Sequence, residues 1–122
     1  MSQVLIAIVD DEEPVRDATK RLVRSMGYHA CTFASADDFL KSEQVYDTSC
    51  LITDVQMPGL SGIDLQEHLV ARGHCIPIIF MTGYPNDRVR TRAMKAGAVC
   101  FLNKPFSEDH FIGCIEKALK AA

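Results

Sequence analysis

Five short segments rich in apolar residues recur along the chain, each followed by a polar segment, and the first, residues 4–9, is uninterrupted. Uninterrupted apolar runs of this length predict strands that are buried on both faces, as in a parallel sheet. Pro77 lies near the start of the fourth run, where a strand tolerates proline. The predicted strands span residues 4–9, 28–33, 50–54, 76–82 and 98–103.

The segments between these runs carry apolar residues at helical spacing. Pro14 suits the first turn of the first helix, and the pairs Ser35/Asp38 and Ser61/Asp64 have the spacing of a capping box. The fourth helix is predicted over residues 87–96, and residues 41–49 are predicted to form a loop. Glycines are predicted to end the first, third and fourth helices, and a serine to cap the fifth: Gly27, Gly73, Gly97 and Ser107.

Five strands that alternate with five helices predict an α/β fold, a doubly wound five-stranded parallel sheet covered on both faces. The right-handed crossover rule favours the flavodoxin-like order 2-1-3-4-5, in which strand one lies beside strand three. No repeat or linker divides the sequence, so residues 1–122 are interpreted as a single domain.

Composition narrows the class of protein. Apolar residues make up 48% of the 122 residues and charged residues 24%, which is typical of a globular domain. The net charge of -3 argues against direct nucleic-acid binding, and no apolar run is long enough to cross a membrane. The N-terminus lacks the features of a signal peptide, and five scattered cysteines without a C-x-x-C motif favour reduced, mostly buried thiols in a cytoplasmic protein.

Acidic side chains follow two strands that the predicted order makes neighbours. Asp10 and Asp11 come after strand one, and Asp54 ends strand three. Because ligands of open α/β sheets bind at the carboxyl ends of the strands, these carboxylates are expected to meet there. Three close carboxylates repel unless they are protonated or hold a cation, and oxygen ligands alone favour magnesium (Mg2+).

A hydroxyl and a single basic residue are predicted at the same edge. Thr82 ends strand four, and Lys104 follows strand five, before Pro105. A cation, a lysine and a hydroxyl suit a phosphoryl group better than they suit proton transfer. Asp54 is therefore the candidate nucleophile, which would become an acyl phosphate.

These residues together resemble the receiver domain (REC) of two-component response regulators, a CheY-like fold. The resemblance covers nearly the whole chain and is strongest to the FixJ/NarL-type branch. The motifs that carry the family resemblance, in order, are Asp10-Asp11, Asp54, Met57-Pro58, Thr82 and Lys104-Pro105. Residues 10–16, 61–62 and 93–99 are the segments most similar to the FixJ/NarL-type branch.

The resemblance implies a role for each site residue. Asp54 would accept a phosphoryl group from a sensor histidine kinase. Asp11, Asp54 and the backbone carbonyl of Gln56 would bind Mg2+, with Asp10 acting through water. Lys104 would contact the phosphoryl group, and Thr82 would move toward it.

Phe101 matches the aromatic switch of the family, although an ordinary core aromatic is an equally good interpretation. Many members carry tyrosine there, so a switch read through that hydroxyl is not expected. Tyr84 stands where many members have a smaller residue, and its ring is hypothesised to slow loss of phosphate.

The resemblance also implies partners. Phosphorylation would change a surface that controls homodimerisation or a DNA-binding output domain for transcription regulation, and no such domain lies in these residues. The domain would catalyse only its own phosphorylation and dephosphorylation.

Two other functions compete with this interpretation. A Mg2+-dependent phosphohydrolase with an aspartyl-phosphate intermediate usually needs an acid two residues after its nucleophile, where this chain has Gln56. A flavodoxin-like cofactor binder needs a Ser-, Thr- and Gly-rich loop after strand one, where this chain has acids.

Overall fold

The computed structural model describes residues 3–121. The strands are β1 (Leu5–Val9), β2 (His29–Phe33), β3 (Cys50–Asp54), β4 (Ile78–Thr82) and β5 (Cys100–Asn103). The helices are α1 (Glu13–Ser25), α2 (Ala36–Lys41), α3 (Gly62–Ala71), α4 (Asp87–Lys95) and α5 (Glu108–Ala121). A 3-10 helix covers Glu43–Asp47.

The sheet has the order β2-β1-β3-β4-β5, with every neighbouring pair parallel, so the predicted topology is confirmed. Val9 pairs with Thr53, and Thr82 pairs with Asn103. The register therefore brings the carboxyl ends of β1, β3, β4 and β5 to one edge of the sheet. From β1 the chain proceeds to one side of the sheet, to β2, and from β3 it proceeds to the other side, to β4 and β5. The strand order therefore reverses between β1 and β3, and open sheets of this kind place their binding sites at this point.

Alternate residues of the central strands supply two cores, one on each face. Ala7, Leu51 and Phe80 lie in one core, together with Phe39 and Leu69 from α2 and α3. The other core packs the sheet against α1 and α5, and its members include Ile8, Ile52, Met81, Val23 and Phe111. All five residues of β3 and of β4 are buried, which explains why these runs lack an alternating pattern.

The helix ends differ in detail from the prediction. At α3 the capping box is complete, because Asp64 N–H donates to Ser61 Oγ (3.1 Å) and Ser61 N–H donates to Asp64 Oδ2 (3.0 Å). At α2 only one half of the predicted box forms, in which Asp38 N–H donates to Ser35 Oγ. The predicted loop over 41–49 was wrong where it overlaps the 3-10 helix, whose first turn is capped by Ser42.

The cysteines are free, but burial is less general than predicted. Cys50 and Cys114 are buried, Cys31 and Cys100 are half-buried, and Cys75 is exposed. Burial is the largest cause that raises the pKa of the Cys50 and Cys114 thiols to about 12. These two thiols are therefore protonated core residues rather than nucleophiles. Within the described residues, no helix is both long and apolar enough to cross a bilayer.

Gly62 fixes the distance between α3 and the end of β3. Its N–H donates to the Val55 carbonyl (2.9 Å), and a Cβ on Gly62 would lie 2.2 Å from the Asp54 carbonyl oxygen. A backbone atom cannot move away without shifting the strand, so only glycine allows α3 to lie this close to the end of β3.

Gly62→Ala is therefore expected to lower the free energy of unfolding by about 1–3 kcal/mol, the usual range for overpacking. Gly113→Ala is the matched control. It adds the same methyl group in α5 where nothing lies within 4 Å, and it should stabilise the helix by about 0.5–1 kcal/mol. Urea unfolding measures both, and equal effects of the two variants would contradict the packing argument.

Candidate functional site

Asp10 and Asp54 lie side by side because they follow adjacent strands. Asp10 is fully buried, and Asp54 is 4% exposed. The loop after β1 is held in place by three bonds: Asp10 N–H to the Phe33 carbonyl (3.2 Å), Glu12 N–H to Asp10 Oδ1 (2.9 Å) and Arg16 Nη1 to the Asp10 carbonyl (2.8 Å). Two of these bonds hold the main chain of Asp10, and the bond from Glu12 holds its carboxylate directly.

Lys104 joins the two buried carboxylates. Its Nζ donates to Asp10 Oδ2 (3.2 Å) and to Asp54 Oδ2 (3.1 Å), and it lies 3.8 Å from Glu12 Oε1. Its backbone N–H donates to the Thr82 carbonyl (2.7 Å), and the Lys104–Pro105 peptide bond is cis. One cation thus serves two buried anions, which leaves the cluster with excess negative charge.

The electrostatic balance is visible in the pKa values. Burial raises the pKa of Asp54 and the charge of Asp10 raises it further, while Lys104 acts in the opposite direction without cancelling them. Burial lowers the pKa of Lys104, but Asp54 and Asp10 together raise it above its usual value. The ammonium is therefore firmly charged at neutral pH, whereas the Asp54 carboxylate is under-neutralised.

Asp54 Oδ1 is buried and has no hydrogen-bond partner among the described residues. A buried carboxylate oxygen without a partner is costly, so the site favours a further positive group at this atom. Carboxylates of Asp10, Glu12 and Asp54 lie within 4.8 Å of one another. An all-oxygen set of this kind suits a hard divalent cation such as Mg2+.

The structure places the predicted ligand Asp11 differently. Asp11 is exposed at the bend after β1, and it does not belong to the group of close carboxylates. Glu12 belongs to that group instead, and the sequence reasoning missed it. The run of four acids after β1 was the available signal, but the strand pattern cannot show which of them turns inward.

Thr82 is fully buried, and its hydroxyl is already engaged. Its Oγ1 donates to Gln56 Oε1 (2.8 Å) and accepts from Tyr84 N–H (3.0 Å). The Gln56 side chain was not among the predicted site residues, because only its backbone carbonyl was considered. The Tyr84 side chain is 76% exposed, so its ring does not belong to the buried part of the site.

Phe101 is a half-buried residue of β5 that lies beside Phe80 of β4 in the register. The two ring centroids are 6.0 Å apart, and Phe101 packs against the core on that face of the sheet. An aromatic ring at the edge of a core can move without opening a cavity in its centre. The position therefore agrees with both interpretations of Phe101.

Comparison with known proteins identifies relatives along most of the chain. A family model described as the response regulator receiver domain matches residues 6–116. The chain is 44% identical to the response regulator protein TmoT of Ectopseudomonas mendocina over 97% of its own length and 54% of that protein. It is 38% identical to the transcriptional regulatory protein FixJ of Bradyrhizobium diazoefficiens, over 96% of its own length and 57% of FixJ.

Solved structures agree. The response regulator StyR superposes with a TM-score of 0.91 at 41% identity, covering 98% of this chain and 60% of that one. The chain spans about half the length of the relatives that it matches in sequence.

The raised pKa of Asp54 predicts the sign of a stability change. The folded state prefers the protonated carboxyl, so this preference stabilises the fold below the ordinary aspartate pKa of about 3.9 and is lost as the pH rises through the folded pKa. Asp54→Asn should therefore be more stable than the wild type at pH 7, and its advantage should shrink as the pH falls toward 4.

Asp64→Asn serves as the control of opposite sign. The Ser61 N–H and hydroxyl lower the pKa of Asp64, so its charge stabilises the fold above the ordinary pKa, and its removal should reduce stability at pH 7. Urea unfolding between about pH 4 and pH 7 measures both variants. A loss of stability in Asp54→Asn at pH 7 would show that Lys104 outweighs burial, contrary to the argument.

Proposed function

This chain belongs to the response regulator receiver domain family, and on that premise we propose that Asp54 accepts a phosphoryl group from a sensor histidine kinase. As a receiver domain of a two-component response regulator, it is built to be switched by phosphorylation. The observation that carries the residue assignment is the state of the Asp54 carboxylate. Its Oδ2 accepts a hydrogen bond from Lys104, while its Oδ1 has no hydrogen-bond partner among the described residues, so the carboxylate can still bind further groups.

The transfer forms one bond and breaks one. One carboxylate oxygen of Asp54 bonds to phosphorus as the P–N bond of the phosphohistidine breaks, and the electron pair of that bond returns to the imidazole nitrogen. The product is an acyl phosphate on Asp54. Lys104 Nζ, already 3.1 Å from Oδ2, stabilises the negative charge that the phosphoryl oxygens bring, and Thr82 Oγ1 is the nearby hydroxyl donor proposed for one of them.

We assign Mg2+ to the same site. Asp11, Asp54 and the Gln56 backbone carbonyl are the proposed direct ligands, with Asp10 acting through water and Glu12 as a further carboxylate within reach. The cation supplies charge neutralisation for the phosphoryl oxygens when it is bound. The unpartnered Asp54 Oδ1 and the excess of acids over Lys104 support this assignment.

The proposed output is a changed surface on α4, β5 and α5. Thr82 would shift toward the phosphoryl group, and Phe101, which packs at the core edge of β5, would follow it. Relatives that are transcriptional regulators are about twice as long as this chain. We therefore propose that residues 1–122 form one receiver domain, whose partners are a DNA-binding output domain and a second copy of itself, and that it works in the cytoplasm.

The phosphohydrolase alternative is not favoured. Gln56 stands where such enzymes need a carboxylic acid, and its side-chain oxygen accepts a hydrogen bond from the Thr82 hydroxyl. We propose that the domain acts only on its own aspartyl phosphate.

Incubation with acetyl phosphate and Mg2+ should add one phosphoryl group to the wild-type chain, as measured by intact mass. Asp54→Ala should gain none. Asp47→Asn is the matched control, because Asp47 is an exposed acid at the end of the 3-10 helix and lies near the amino end of β1, at the opposite edge of the sheet. Retained phosphorylation of Asp54→Ala would refute the assignment, and turnover of phosphomonoesters would revive the phosphohydrolase.

The choice between Asp11 and Glu12 as a metal ligand can be tested by Mg2+ titration in a calorimeter. If Asp11 ligates the ion, Asp11→Asn should weaken Mg2+ binding by about tenfold or more, and Glu12→Gln should weaken it less. Binding also links to folding, so 100-fold excess of Mg2+ over its Kd should add about 2.7 kcal/mol to wild-type stability. The opposite ranking of the two variants would transfer the ligand role to Glu12.

A further inference from the structure

The Gln56 side chain accepts a hydrogen bond from the Thr82 hydroxyl, which the proposed function requires as a donor to the phosphoryl group. A threonine hydroxyl has one proton to donate, and Thr82 donates it to Gln56 Oε1 at 2.8 Å. Thr82 Oγ1 also accepts a hydrogen bond from Tyr84 N–H at 3.0 Å. Thr82 therefore cannot donate to a phosphoryl oxygen until its bond to Gln56 breaks.

We propose that the Gln56 side chain is a positioning residue that holds Thr82 in the unphosphorylated arrangement. The inference rests on the proposed function, in which Thr82 donates to the phosphoryl group on Asp54. Gln56 then opposes the switch by about the net strength of one neutral hydrogen bond, and this opposition sets how readily the phosphorylated arrangement is populated.

The contact is built to be released. Thr82 is fully buried, but Gln56 is exposed, so its amide can turn into water without being left unpaired. A phosphoryl oxygen carries charge and is the stronger acceptor, so once Asp54 is phosphorylated it accepts the Thr82 hydrogen bond in place of Gln56 Oε1. Gln56 thus tunes the equilibrium without blocking it.

The backbone around Gln56 does not depend on its side chain. Val55 N–H donates to the Met81 carbonyl (3.0 Å), and Gly62 N–H donates to the Val55 carbonyl (2.9 Å). These bonds anchor the main chain next to Gln56, and neither of them involves the Gln56 side chain. Side-chain substitutions at position 56 therefore test the bond to Thr82 separately from the proposed metal ligand.

Beryllofluoride with Mg2+, a mimic of an aspartyl phosphate, is the probe, and calorimetry measures its apparent affinity. Gln56→Met keeps the length of the side chain and removes the acceptor, and Gln56→Asn keeps the amide but is one methylene too short. Both variants should bind the probe about two- to tenfold more tightly than the wild type.

The control is the same substitution without the Thr82 hydroxyl. In a Thr82→Val background, Gln56→Met should no longer change the affinity, because the bond it removes is already absent. An effect that persists in that background would overturn the proposal, since Gln56 would then act elsewhere, for example on the metal.

Unchanged affinity in both Gln56 variants would also overturn it. If Thr82→Val still weakens binding in that case, the proposed function stands without the Gln56 tether. A wild-type protein that binds no beryllofluoride in the presence of Mg2+ would instead reject the proposed function, and the tether with it.

Discussion

The shared contact of Lys104 with Asp10 and Asp54 is the interaction on which the site depends. Two buried carboxylates on adjacent strands would repel each other at neutral pH without an opposite charge between them. Lys104 reaches both, at 3.2 and 3.1 Å, from just after β5, which lies three positions from β1 and two from β3 in the sheet. The fold therefore brings a cation to the anions, but one cation for two anions leaves a deficit, and that deficit is what makes the site receptive to a metal ion and a phosphoryl group.

Much of this arrangement could be predicted from strand ends alone. The bounds of β3 agree with the prediction at both ends, and Asp10, Asp54, Thr82 and Lys104 all follow from the rule that parallel strands share an edge. Loop side chains could not be predicted in the same way. Whether Asp11 or Glu12 turns toward Asp54 depends on the backbone path held by Asp10 Oδ1, and hydrophobic periodicity carries no information about that path.

The contact of the Gln56 side chain could not be predicted from the sequence either. Its residue type indicated only that position 56 carries no acid for proton transfer. Its contact with Thr82 arises because the ends of β3 and β4 are neighbours in the sheet, so residues 26 positions apart in the chain meet at 2.8 Å. A neutral hydrogen bond at this point and a charge cluster beside it make one connected unit, in which the state of the carboxylate determines what the hydroxyl does.

The central claim is that Asp54 is a buried carboxylate whose charge Lys104 balances only in part. NMR titration of the Asp54 side-chain carboxyl carbon tests this claim most directly, with and without Mg2+. The account predicts a pKa above the ordinary aspartate value of about 3.9 in the metal-free protein, and a fall in that pKa when Mg2+ is added. A metal-free pKa at or below the ordinary value would contradict it, because Lys104 would then satisfy Asp54 completely and leave no deficit for a cation to fill.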